Sequence, residues 1–134
     1  MSEATVRGVL LTHGALGMGL RDAVERVVGD VAHEALIPLS NDSLDREGIR
    51  AALEGIAGTG PVLVFTDLAA GSCAFAARTL CLKGGPRGLI CGVNLPMLLE
   101  FVFHRDQPLD ELIPRLVEKG REGVIAQLPG ESVG

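Results

Sequence analysis

A chain of 134 residues has the length of one ordinary domain, and 47% apolar with 22% charged residues excludes a disordered chain. Lys and Arg number 12 against 17 Asp and Glu, and the net charge of −5 argues against a nucleic-acid binder, which needs a basic face. Aromatic residues are 3%, all Phe, too few for base-stacking platforms or aromatic carbohydrate cradles.

Cys73, Cys81 and Cys91 form no CxxC pair and sit beside no histidine cluster, which argues against a zinc site and for a reducing compartment. Met1 to Thr5 has no basic stretch ahead of an apolar one. No apolar run approaches the roughly 20 residues that span a bilayer. A cytoplasmic protein with no metal and no cofactor is expected.

Along the chain, Val6–Thr12 is a short apolar run closed by His13-Gly14, and it predicts a buried strand. Leu20, Ala23, Val24, Val27 and Val28 recur at helical spacing over Gly17–Val28, with Gly29 as the stop. Ala35–Leu39 predicts a second strand. Ser40–Ser43 is a turn, and Ile49, Leu53 and Ile56 mark the next helix. Val62–Thr66 is the clearest strand, continuous and rich in β-branched residues. Ser72 reads as the N-cap of a helix to about Leu82, and Gly88–Val93 as a fourth strand. Helices are expected over Pro96–Phe103 and about Leu109–Gly120, then a last short strand at Val124–Leu128 and a loose tail over 129–134.

Strand and helix alternate, which predicts an α/β fold with a mainly parallel sheet and helices on both faces. Right-handed crossovers gather the loops after the strands on one edge, and function lies there, where strand order reverses. In the common order 2-1-3-4 the first and third strands are neighbours, so His13 and Asp67 can meet. A carboxylate on one imidazole nitrogen fixes the tautomer, leaves the other nitrogen nucleophilic and stabilises the charge that phosphorylation develops. The plain alternative is that His13 caps a turn and Asp67 caps a helix.

Gly14, Gly17 and Gly19 lie where one helix begins, and Gly71-Ser72 opens another at the same edge. Helix starts offer free N–H groups and partial positive charge to a phosphoryl group. The same residues also serve ordinary turns and caps. Gly14–Gly19 reads GxxGxG, which differs from both usual dinucleotide fingerprints, and Leu39-Ser40-Asn41 supplies no acid for a ribose. Nucleotide binding is therefore the outside reading. His33 is expected to be exposed between elements, and His104 to sit at a helix end, where a cation suits the dipole. Cys73 is expected as a small buried residue near a helix start, and Cys81 and Cys91 as core.

Thr12-His13-Gly14, Asp67 with Gly71-Ser72, and Gly92-Val93-Asn94-Leu95-Pro96-Met97-Leu98 together resemble the mannose-type enzyme IIA domain of the bacterial phosphoenolpyruvate-dependent sugar phosphotransferase system. Glu118–Val124 looks like that family's last helix leading into its final strand. The resemblance spans about Val6–Gln127 and implies a single domain over 1–134, with a core at about 6–128. It implies a phosphohistidine relay in which His13 accepts a phosphoryl group from HPr and passes it to a IIB component. Asp67 matches the acid that orients the histidine, and Gly14, Gly71 and Ser72 lie at the phosphate edge.

The resemblance further implies a homodimer whose final strand, here Val124–Leu128, is exchanged and antiparallel, and a membrane link only through a IIC/IID permease. The phosphotransfer subunit of dihydroxyacetone kinase shares the fold, but Gly92–Leu98 favours the mannose type. One loop departs from the pattern. Where the family carries a Thr, an aromatic and a double glycine before the Ser and a Pro after it, this chain has Leu68, Ala69, Ala70-Gly71 and Cys73. A regulatory phosphoacceptor or protein-binding module of the same fold, without sugar transport, is the competing expectation.

Overall fold

The computed structural model describes residues 5–132. Its elements run β1 (Arg7–Thr12), α1 (Leu16–Val28), α2 (Val31–Ala35), β2 (Leu36–Ser40), α3 (Arg46–Ala57), β3 (Val62–Thr66), α4 (Ser72–Leu82), β4 (Arg87–Cys91), α5 (Leu95–Phe103) and α6 (Leu109–Glu122). The four strands form an all-parallel sheet, as the alternation of elements predicts, in the expected common order β2-β1-β3-β4. Pro38, which has no N–H to donate, lies in the edge strand β2, where a missing ladder bond is tolerated.

The central strands are apolar through Val9–Leu11 and Val62–Phe65 because both faces of the sheet are covered there. Leu10, Leu63 and Phe65 point into one core with Val24 of α1, Ala32 and Ala35 of α2, Leu98 and Phe101 of α5, and Leu112 and Leu116 of α6. Val9, Leu11, Val62 and Val64 point the other way, onto Ile49 and Leu53 of α3 and Ala76, Ala77 and Leu80 of α4. Phe65 and Phe101 meet edge to face with ring centroids 5.2 Å apart. Burying a ring such as Phe101 contributes roughly 1.5–3 kcal/mol. It lies against the sheet because Gly8 has no side chain: a Cβ there would stand 2.8 Å from Phe101 Cε2.

Three expectations are corrected. His33 is exposed as expected but belongs to α2, a five-residue helix that runs straight into β2 and carries too few apolar positions to show a period. Ser72 is the first helical residue of α4, and Gly71 holds the N-cap position at φ 96°, a conformation that glycine adopts without strain. Cys81 and Cys91 are half-buried, where core positions were expected; Cys73 is buried. The segment 124–128 forms no strand within this single chain. Pro129 and Gly130 of the expected tail make a turn, closed by Glu131 N–H donating to Leu128 O; 133 and 134 lie outside the described residues, as do 1–4.

Candidate functional site

The register pairs Leu11 with Thr66, so β1 runs one residue past β3, and the residues that follow the two neighbouring strands, His13 and Asp67, emerge at the same edge. There the chain turns to β2 on one side and to β3 on the other, which opens the crevice expected at a reversal of strand order. His13 and Asp67 occupy it. His13 N–H donates to Asp67 Oδ2 at 3.0 Å. The imidazole Nδ1 faces the same carboxylate, 2.9 Å from Oδ2 and 3.2 Å from Oδ1. Leu68 N–H donates to Oδ1 at 3.0 Å, so both carboxylate oxygens are fixed by backbone as well as by the ring.

The His13 side chain is 46% exposed and that of Asp67 13%. Partial burial pushes the Asp67 carboxyl up. The His13 backbone N–H, ring N–H and ring charge, together with the local backbone, outweigh it and hold Asp67 below its ordinary value. An ionised carboxylate can only accept, so a neutral ring in this geometry carries its proton on Nδ1 and has its lone pair on Nε2. The plain alternative fails for Asp67, because its oxygens accept from His13 and Leu68 and cap no helix.

Two helices open beside this pair. Gly14, at φ 56°, turns the chain directly after His13, and Gly17 brings α1 against β1, where a Cβ would lie 3.0 Å from Leu10 O. Thr12 Oγ1 accepts from Gly17 N–H at 2.8 Å. The start of α4 is more open: Gly71 brings no side chain, and the Ser72 hydroxyl is not used as a cap. Its first N–H groups are therefore left without a side-chain cap on the Asp67 side.

Sequence reasoning passed over the residues that hold the Asp67 loop. Thr66 Oγ1–H donates to Leu68 O at 2.9 Å, and Arg78 Nη2–H donates to Ala69 O at 2.8 Å. A signal was present: each central strand ends in a Thr immediately before the polar residue of the site. The remaining histidines lie elsewhere, each with a carboxylate. His33 Nε2 is 2.9 Å from Glu25 Oε1, and His104, at the end of α5 as expected, places Nε2 3.2 Å from Glu100 Oε2. Among the described residues no group of three or more His, Cys, Asp and Glu could hold a metal ion. No helix among them is long and apolar enough to cross a membrane. A cavity of about 800 Å³ opens at the opposite edge of the sheet, lined by Pro61, Pro86 and Pro108, away from His13.

The sequence pattern of the family described as "PTS system fructose IIA component" matches residues 8–117. The chain is 34% identical over 127 residues to the "PTS system mannose-specific EIIAB component" of Escherichia coli K12, covering 91% of this chain and 39% of that protein. It thus spans about two fifths of the length of the curated relatives it matches. Among solved structures, the "Mannose/sorbose specific IIA subunit of phosphotransferase system" from Enterococcus faecalis superposes with a TM-score of 0.82 at 25% identity, covering 96% of this chain and 99% of that one. "Phosphotransferase system component EIIA" from Streptococcus agalactiae superposes equally well, with a TM-score of 0.82 at 23% identity and 90% and 96% coverage.

Proposed function

The chain belongs to the mannose-type IIA family of the phosphotransferase system, and from that premise we propose that it is a phosphohistidine carrier with His13 as phosphoacceptor. The observation that carries this reading is the Nδ1–Asp67 pair, which leaves Nε2 as the free nucleophilic nitrogen on the exposed side. In the proposed step the Nε2 lone pair forms a bond to phosphorus. The donor's bond to phosphorus breaks, and the donor atom keeps that electron pair. The ring retains its Nδ1 proton and becomes cationic, and Asp67 offsets the charge. The N–H groups at the start of α4, the Ser72 hydroxyl and the turn through Gly14 and Gly71 receive the phosphoryl oxygens.

HPr is the proposed donor and a IIB component the proposed acceptor, with a IIC/IID permease as the only membrane link and the cytoplasm as the place of action. Sugar uptake is the proposed output. Incubation with phosphoenolpyruvate, enzyme I and HPr should add the mass of one phosphoryl group, acid-labile and base-stable. An unchanged intact mass would reject the reading.

The regulatory alternative has one observation in its favour: the loop beside Asp67 exposes Leu68 at 57% and carries Ala69 where the resemblance places an aromatic of the partner-facing surface. Loading from HPr with no onward transfer to any IIB component would support it. A homodimer closed by Val124–Leu128 belongs to the same proposal. Strand β4 ends the sheet, and Val124, Ile125 and Leu128 are 78%, 85% and 61% exposed in the single chain. A second copy would cover both. Sedimentation as a monomer at micromolar concentration would overturn that part.

A further inference from the structure

We propose that Thr66 is a positioning residue for phosphoryl transfer, its hydroxyl holding the Leu68 peptide so that the Asp67 carboxylate stays turned toward His13 Nδ1. This rests on the reading of His13 as phosphoacceptor. Asp67 Oδ1 is oriented by Leu68 N–H at 3.0 Å, so the setting of the carboxylate depends on where the peptides on either side of Leu68 point. Packing does not hold that turn, because the Leu68 side chain is largely exposed.

The hydroxyl of Thr66 does hold it, at 2.9 Å from Leu68 O. Thr66 has no exposed surface, so its hydroxyl is shielded from competing water. The residue itself is anchored from the other side: Gly92 N–H and Val93 N–H both donate to Thr66 O, at 2.9 and 3.0 Å. The end of β4 therefore fixes Thr66, Thr66 fixes the carbonyl of the Leu68–Ala69 peptide, and through Leu68 this steadies the preceding peptide, whose N–H aims Asp67. Thr12, the matching residue on β1, works in the other direction: its hydroxyl accepts from Gly17 N–H and ties α1 to the strand.

The test compares the full-length wild-type chain with Thr66→Val, Thr66→Ala and Thr66→Ser. The first readout is the His13 tautomer in the unphosphorylated protein, from proton–nitrogen spectra of the imidazole. The second is the rate of loading from phosphorylated HPr. Thr66→Val and Thr66→Ala should raise the share of the tautomer protonated on Nε2 and slow loading by about 10-fold, the lower end of what is lost when a partner that orients an imidazole is removed. Thr66→Ser, which keeps the hydroxyl, should restore both. If Thr66→Val does not fold, the Ala and Ser variants still decide the matter, since they differ only in the hydroxyl. Wild-type tautomer ratio and rate in Thr66→Ala, or a Thr66→Ser variant as impaired as Thr66→Ala, would overturn the proposal. A wild-type protein that takes no phosphoryl group would instead reject the acceptor reading, and the tautomer comparison would still judge Thr66.

Discussion

Helices α4 and α5 begin at the same edge of the sheet, after neighbouring strands, and their first turns are built in opposite ways. At α5, Asn94 lies in extended conformation, its side chain accepts from Met97 N–H at 3.3 Å, and Pro96 contributes no N–H at all. At α4, Gly71 stands where a capping side chain would be, and no cap hydrogen bond is made. The outer helix α3 follows the α5 pattern, with Asp45 Oδ1 accepting from Gly48 N–H at 2.8 Å. A side-chain cap contributes about 1 kcal/mol. The chain makes that contribution beside the two outer strands and forgoes it beside Asp67. Forgoing it leaves the first N–H donors of α4 without a side-chain cap, and the proposed function assigns these donors to the phosphoryl oxygens.

The largest effect that tests this contrast is expected at His13. His13→Ala should take up no phosphoryl group from HPr, whereas His33→Ala and His104→Ala should load as wild type, since their rings pair with Glu25 and Glu100 far from either helix start. Labelling of His13→Ala would move the acceptor elsewhere and leave the open turn of α4 without a purpose.

Asp67→Asn comes next. It keeps the shape of the side chain and removes the charge, so loading should slow by on the order of 10²-fold, the scale on which a positioned acid or base commonly contributes. Its pH signature has a definite sign. The folded protein holds Asp67 below its unfolded value, so this carboxylate stabilises the fold above the unfolded pKa of about 3.9, and that contribution is lost as pH falls through the lower, folded value. Thermal melts in the acid range should therefore show a shallower loss of stability for Asp67→Asn than for wild type. Identical acid slopes would show that the His13–Asp67 pair adds nothing to the fold.

Ser72→Ala is the sharper test of α4 itself. Because Ser72 lies inside the helix and caps nothing, its loss should leave the melting temperature unchanged and slow loading by about 5-fold, one ordinary hydrogen bond in the transition state. A lowered melting temperature with unaltered loading would return Ser72 to the structural role that its sequence position suggests.

That reversal at Ser72 shows where the sequence was legible. The run Val62–Thr66 announces β3 without ambiguity, and the alternation of strands and helices announces a parallel sheet, so with the common order 2-1-3-4 the meeting of His13 and Asp67 is legible in the sequence. The cap of α4 could not, because Gly71 and Ser72 are both good N-cap residues and only the backbone angle of Gly71 decides between them. Helix α2 was hidden for another reason: Val31–Ala35 is five residues long and buries only Ala32 and Ala35, too little to show a period. The hydroxyl of Thr66 was hidden because threonine suits a buried strand end equally well with or without a bond to the loop beyond it. The segment 124–128 finds no partner inside one chain, and apolar composition alone does not say which surface it covers.

The smallest expected effect lies on the other side of the contrast, at Asn94. Its side chain closes the first turn of α5 through Met97 N–H and also donates from Nδ2 to Gly120 O at 2.8 Å, tying α5 to α6. Asn94→Ala removes a cap and this tie together, so stability should fall by about 1–2 kcal/mol, a drop of several degrees in melting temperature for a chain of this size. Loading from HPr should stay within about 2-fold of wild type, because the N–H groups released at α5 follow β4 rather than the strands that bear His13 and Asp67. The pair Ser72→Ala and Asn94→Ala should thus separate cleanly, one altering transfer without stability and the other stability without transfer. A fall in loading for Asn94→Ala comparable to that for Ser72→Ala would mean that the first turn of α5 also serves the site. In that case the contrast between the two helix starts would reflect packing alone.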